Sequence, residues 1–216
     1  MNDMVATEVL AQVLAQRIVP VVVIDRAGDA QPLGDALVAG GLPVAEVTFR
    51  TAAAPDAIRA LAARGDVLVG AGTVCTPAQA QLACRNGARF LVSPGLSRAV
   101  IEWAHEHGVP VLPGVMTPSE VMAALDLGVE VVKFFPAQVA GGVGMLKALA
   151  GPFPDVRFVP TGGISADTMA DYLALPCVAA VGASWLVERS LVAGGQVDQI
   201  SDRLRAAVRI ANRQGA

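Results

Sequence analysis

The sequence predicts an α/β chain folded as a single (β/α)8 TIM barrel over residues 1–216, with an additional N-terminal helix, and three observations carry the prediction. Eight short β-branched runs recur along the chain with helical stretches between them. Their starts are 19 to 27 residues apart, which leaves room for one strand, one helix and two turns. Glycines stand just before several of the runs, at Gly41, Gly65, Gly87, Gly108 and Gly128, where a helix ending in a left-handed turn needs them. An open doubly wound sheet is the alternative, and the even spacing argues against it.

Taken in order, a helix at about residues 4 to 16 precedes the first strand and is expected to cover the bottom of the barrel. The strands then begin near Ile18 (IVPVVVI), Val44 (VAEVTF), Val67 (VLVGAG), Phe90 (FLVSPG), Val109 (VPVLPG), Val131 (VVKFFP), Phe158 (FVPTGG) and Val178 (VAAVGAS). Helix starts are marked by Thr76-Pro77, by Thr117-Pro118 with Glu120, and by Ser165 with Asp167, each ahead of an alanine-rich segment.

Composition narrows the class of function. With 54% apolar residues the chain can bury a sizeable core. A net charge of -3 leaves no basic face for nucleic acid or an anionic membrane, so small molecules are the expected partners. Cys75, Cys84 and Cys177 are odd in number and lack CxxC spacing, which suggests neither a disulfide framework nor a zinc cluster and fits a reducing cytoplasm. Asp3 and Glu8 fall where a signal peptide would be basic and then apolar, and runs such as Ile18 to Ile24 are too short to span a bilayer. A soluble cytoplasmic protein is expected.

Because barrel chemistry sits at the C-terminal ends of the strands, polar residues there carry the most information. In strand six Lys133 is the only charge in the apolar run Val131–Phe135, and of 16 basic residues only Lys133 and Lys147 are lysines. Burial disfavours an ammonium and favours the free amine, a nucleophile that arginine cannot replace. The bland reading is a lysine paired with a buried carboxylate or reaching to solvent. Strand two alternates so that Glu46, Thr48 and Arg50 share one face, expected to point into the barrel. Arg50 offers a planar fork for a substrate carboxylate and Glu46 can shuttle protons, while an internal Glu46–Arg50 ion pair is the alternative.

Weaker signals lie at the remaining strand ends. Thr73, after Gly70-Ala71-Gly72, can bind the same carboxylate or cap the next helix, with nothing to choose between them. Ser93-Pro94-Gly95 shapes a wall. Thr161-Gly162-Gly163 and Gly182-Ala183-Ser184 end strands seven and eight, where exposed backbone N–H groups commonly hold a phosphate, with the Ser184 hydroxyl adding a bond. A purely conformational role for those glycines is the alternative. Gly141-Gly142-Val143-Gly144 lacks the first-strand context of a dinucleotide loop, His105 and His107 read as surface residues without matched carboxylates, and Trp185, Phe134 and Phe135 read as packing or pocket walls.

With these residues collected, the chain resembles the bacterial 2-keto-3-deoxy-6-phosphogluconate (KDPG) aldolases, many of which also cleave 4-hydroxy-2-oxoglutarate (KHG). The resemblance runs through LVAGGLPVAEVTFRT, VGAGTV, SPGLS, VKFFPA, GPFPDVRFVPTGGIS and GASWL. EVTFRT and KFFPA are specific to this family and its nearest relatives; GAGTV and TGGIS are shared more widely among phosphate-binding barrels. The resemblance implies a homotrimeric, metal-independent aldolase that needs no cofactor. Lys133 would be its Schiff-base lysine and Glu46 its general acid/base. Arg50 and Thr73 would bind the pyruvyl carboxylate, Gly162, Gly163 and Ser184 the phosphate, and Thr161 would influence stereochemical preference. Many members read GGSW where this chain has Ala183, whose methyl is expected to crowd the phosphate loop. An aldolase for the galactonate-derived epimer and a non-catalytic phosphosugar-binding barrel are the competing readings.

Overall fold

In the computed structural model, which describes residues 2–213, each of the eight predicted runs contributes backbone to a parallel sheet. Helix α1 (Asn2–Ala15) leads into β1 (Ile18–Val22), α2 (Ala30–Ala39), β2 (Val44–Thr48) and α3 (Ala54–Ala62). Then follow β3 (Leu68–Gly72), α4 (Pro77–Arg85), β4 (Leu91–Val92), α5 (Arg98–Glu106), β5 (Val111–Leu112) and β6 (Gly114–Val115). The chain continues through α6 (Pro118–Asp126), β7 (Val131–Phe134), α7 (Gly142–Ala150), β8 (Arg157–Pro160) and α8 (Met169–Leu173). It finishes with β9 (Val181–Ala183), α9 (Arg189–Ala193) and α10 (Val197–Arg213).

One sheet runs β5-β4-β3-β2-β1-β9 and a second runs β6-β7-β8, every pair parallel. The predicted fifth strand is split at Pro113, which has no N–H to donate to a ladder. Its first half pairs with β4, Leu91 opposite Val111, and its second half with β7, Gly114 opposite Lys133. At the other junction two isolated parallel bridges, Phe158–Val178 and Thr161–Gly182, link β8 and the residue after it to the segment that carries β9. The predicted eighth strand therefore starts late. Val178 makes a single bridge, and the ladder resumes at Val181 beside β1.

All strands point the same way because each crossover is helical, so their C-terminal ends face one side and α1 lies at the other. Ala6 and Leu10 of α1 share a cleft of about 390 Å³ with Val109, Val111, Val129 and Val131, and Gln12 and Gln16 one of about 480 Å³ with Val44 and Leu68. Val9 and Val13 are the residues by which α1 enters the core.

The predicted punctuation is confirmed at most positions. Gly41, Gly65, Gly87, Gly108 and Gly128 all have φ between 63° and 98°, a conformation that costs a side-chain-bearing residue about 1 kcal/mol or more. Thr76 caps α4 by accepting from the Gln79 N–H, and Thr117 with Glu120 forms a reciprocal capping box on α6. The third expected cap fails. The Ser165 N–H donates to Thr168 Oγ1, which turns the chain before the helix, so α8 begins at Met169. Among the described residues no helix is long and apolar enough to cross a membrane.

Candidate active site

Of the buried polar side chains Glu46, Thr48, Ser93, Lys133, Thr161 and Ser201, all but Ser201 lie on or just beyond the C-terminal halves of strands. Their placement follows from period-two alternation. Glu46 sits at the centre of β2 and Lys133 near the end of β7, each on the face opposite residues that pack under the helices, such as Val47 and Val132. The two strands belong to different sheets, yet Lys133 Nζ donates to Glu46 Oε1 at 3.3 Å, with the side chains 7% and 4% exposed. Nζ also lies 5.1 Å from the centroid of the Phe135 ring. A charge-assisted N–H···O bond is normally about 2.7–2.9 Å, so this contact brings the groups together without locking them.

Lysine thus does pair with a buried carboxylate, as the bland reading of Lys133 required. That carboxylate is the one singled out as a proton shuttle, so the contact joins an amine to a base.

Arg50 differs from expectation. Strand β2 ends at Thr48, and Arg50 stands in the following turn, exposed to solvent, instead of on the inward strand face. The Phe49 N–H makes the last ladder bond, to the Gly72 oxygen, and the chain turns there as Thr48 and Thr51 donate their hydroxyls to the backbone oxygens of Val22 and Ile24. No Glu46–Arg50 ion pair forms, and among the described residues the Arg50 guanidinium has no hydrogen-bond or ion-pair partner. An arginine held at the rim with all its donors free is suited to a planar anion.

Thr73 occupies the next loop, one residue beyond Gly72, which pairs with Thr48. Its φ is 58°, a left-handed conformation rare for a β-branched residue and worth about 1–3 kcal/mol of strain. Thr76, not Thr73, caps α4, and the Thr73 hydroxyl has no partner among the described residues. The cap reading is thereby removed. In the next loop the Ser93 hydroxyl donates to the Gly95 oxygen at 2.7 Å, and Gly114 packs so tightly on the Pro94 backbone that a Cβ there would overlap it.

The last two loops are neighbours because Thr161 pairs with Gly182. Gly162 and Gly163 have φ of 100° and 75°, and no protein acceptor takes the N–H of Gly162, Gly163, Ile164 or Ser184 among the described residues. Successive free N–H groups in left-handed turns form an anion-binding concavity. Ser184 is exposed and opens the short 3-10 turn Trp185–Val187. The Trp185 indole nitrogen in that turn is buried without a partner.

The Ala183 methyl does not crowd this concavity. Gly182 faces Thr161, so Ala183 points to the opposite side of β9, where it is fully buried. Phe134 is core. Phe135, read only as a packing or wall residue, joins the two halves of the site, since its ring lies under Lys133 Nζ and would meet a Gly162 Cβ at 3.3 Å.

An amine and a carboxylate in contact, a free guanidinium after β2 and a nest of N–H groups after β8 can together hold a substrate with an anionic group at each end beside a nucleophile. Comparison with known proteins agrees with that chemistry. A family model described as "Aldolase: KDPG and KHG aldolase" matches residues 9–203. The chain is 47% identical to the KHG/KDPG aldolase of Escherichia coli (strain K12), over 88% of this chain and 90% of that protein. It superimposes with a TM-score of 0.88, at 44% identity over 90% of this chain and 96% of the other, on a Legionella pneumophila KDPG aldolase with pyruvate captured as a covalent carbinolamine intermediate. A Zymomonas mobilis 2-keto-3-deoxy-6-phosphogluconate aldolase with 3-phosphoglycerate gives a TM-score of 0.87 at 38% identity, over 94% and 95% of the two chains. A match across nearly the whole chain, joined to the Lys133–Glu46 contact, places this protein in the KDPG and KHG aldolase family.

Proposed function

We propose that the protein is a class I, metal-independent aldolase that cleaves 2-keto-3-deoxy-6-phosphogluconate to pyruvate and glyceraldehyde 3-phosphate, and 4-hydroxy-2-oxoglutarate to pyruvate and glyoxylate. The observation that carries this reading is the buried Lys133–Glu46 contact at 3.3 Å. Lys133 attacks the C2 ketone, and loss of water leaves a protonated imine that serves as the electron sink, so the reaction needs no cofactor. Glu46 takes the proton of the C4 hydroxyl, the C3–C4 bond breaks, and its electron pair enters the imine to give an enamine while the aldehyde leaves. Glu46 then returns its proton to C3, and water hydrolyses the imine to release pyruvate and the free amine.

The outer residues hold the ends of the substrate. Arg50 and Thr73, in adjacent loops with unengaged donors, bind the pyruvyl carboxylate; Gly162, Gly163 and Ser184 bind the phosphate. Thr161, which pairs with Gly182 at the base of the phosphate loop, orients C4, whose hydroxyl loses its proton as the C3–C4 bond breaks. The two sheets are read as arcs of one closed (β/α)8 barrel domain, joined at Pro113 and through the Phe158–Val178 and Thr161–Gly182 bridges, with α1 across the bottom. The family resemblance supports a cytoplasmic homotrimer.

Incubation with pyruvate and borohydride, followed by peptide mass mapping, tests the chemistry. A reduced adduct on Lys133 is expected. A folded protein that gives none is not a Schiff-base aldolase. Steady-state rates on the two keto acids and on the galactonate-derived epimer test the substrate, and a tenfold preference for the epimer would overturn the assignment.

A further inference from the structure

We infer that Gly72 is a positioning residue whose missing side chain is the seat of the Glu46 carboxylate. The inference rests on Glu46 acting as the acid/base of the aldolase. The argument begins with the register of the two strands. Glu46 pairs with Gly70 and Thr48 with Gly72, so the Glu46 backbone lies one pleat below Gly72. Its carboxylate nevertheless lies at the level of Gly72. A Cβ built there would overlap Glu46 Oε1 and stand 2.6 Å from Cγ and 2.7 Å from Cδ. The side chain therefore climbs along β3 toward the open end, and it does so through the space that any other residue at position 72 would fill.

The same face of β3 shows what happens one pleat lower. A Cβ at Gly70 would overlap the ring of Phe90, which is 1% exposed. Alternate positions on β3 thus receive an aromatic ring from the β4 side and, above it, the carboxylate from β2. Phe90 closes the space beneath Glu46, which cannot retreat downward without displacing a packed ring. The nearest atoms around the absent Gly72 methyl all belong to Glu46 and none to backbone, so the chain can accept a methyl only by moving that side chain. The direction left open is away from β3, which changes the 3.3 Å contact with Lys133.

A misplacement of about 1 Å at a reacting group can cost about a hundredfold in rate. Gly72→Ala is therefore expected to lower kcat about a hundredfold. The KM for the keto acid should stay within about threefold, because Arg50 and the phosphate loop lie in other loops, beyond the change. Two further readouts separate positioning from a general structural defect. Borohydride trapping with saturating pyruvate should still label Lys133 in Gly72→Ala, whereas exchange of the pyruvate methyl protons with deuterated water should slow in step with kcat. In a Glu46→Gln background, adding Gly72→Ala should cost no more than about twofold, since the group it displaces no longer works as a base.

Each result decides something. If wild type gives no Lys133 adduct, the aldolase reading itself fails and this inference with it. If the adduct forms and Gly72→Ala stays within threefold of the wild-type kcat, or loses the same factor in the Glu46→Gln background, the inference alone is overturned. If Gly72→Ala does not fold, Gly72→Ala/Glu46→Ala decides: a folded double variant shows that Glu46 was the obstacle, and an unfolded one shows that it was not.

Discussion

Replacing Lys133 with methionine, which keeps the unbranched stem as far as Cε and removes the ammonium, isolates the energetics of the buried pair. Lys133 Nζ is the only hydrogen-bond donor to the Glu46 carboxylate among the described residues, and the two side chains are 7% and 4% exposed. Solvent reaches only a small part of the carboxylate left behind. Breaking a buried pair from one side costs about 3–5 kcal/mol. For a domain of this size that lowers Tm by about 6–20 °C. Glu46→Gln in the Lys133→Met background replaces the orphaned charge with a neutral group of the same shape and should restore about 2 kcal/mol or more, because a buried pair as a whole contributes little net stability. The assay is a double-mutant cycle by urea and thermal unfolding, run at low and high salt, since a buried contact is screened little. The reasoning is refuted if Lys133→Met melts within 2 °C of wild type, or if the two substitutions add within about 0.5 kcal/mol.

Arg50→Ala should raise the KM for the keto acid about 10- to 150-fold, the worth of a hydrogen bond to a charged group, while stability stays within about 0.5 kcal/mol because the free guanidinium holds nothing in the fold. Steady-state kinetics beside a urea melt check both halves. Thr73→Gly should raise stability by about 1 kcal/mol, the strain at φ 58° relieved less the entropy of the glycine, while raising KM through loss of the hydroxyl; a stability loss would show that the left-handed turn is not strained. Partial burial pushes the Glu120 carboxyl up, but the N–H of Met116, the hydroxyl of Thr117 and the N–H of Thr117 together hold it below its ordinary value of 4.5. Its folded value being the lower one, the stabilisation is complete above pH 4.5 and is lost as pH falls through the folded value, so Glu120→Gln should flatten the acid limb of a stability–pH curve measured in urea.

Local rules made the eight strand-bearing runs, the left-handed glycines and two of the three caps legible, because each depends only on residues within one turn of one another. Lys133 and Glu46 were legible for a different reason: a charge inside an apolar run has to be paired or used, wherever the partner is. What the sequence could not show was where a ladder stops. Period two assigned Arg50 to the inward face, but the chain turns as the hydroxyls of Thr48 and Thr51 donate to Val22 and Ile24, and the strand ends before Arg50 is reached. Pro113 divided the fifth strand, a break that only the pairing partners on its two sides reveal. The role of Gly72 depends on a carboxylate from another strand rising past its own register, and no signal in either strand alone records that.

Residues that break local rules cluster at one end of the molecule. Lys133 interrupts an apolar strand, Glu46 is a buried acid, Thr73 is β-branched in a left-handed turn, and Arg50 carries an unanswered charge. The first three are unfavourable alone, whereas at the opposite ends of the strands the glycines take the turns that suit them and Arg17, left-handed at φ 61° just before β1, is the exception. Parallel strands permit this division because strand length separates their two ends, so strain at the C-terminal ends need not propagate to the packing beneath them. The consequence is directional. Stabilising substitutions that leave activity intact should be sought below the level of Phe90, whereas at Thr73 stability is gained against substrate affinity and removing one member of the Lys133–Glu46 pair loses both.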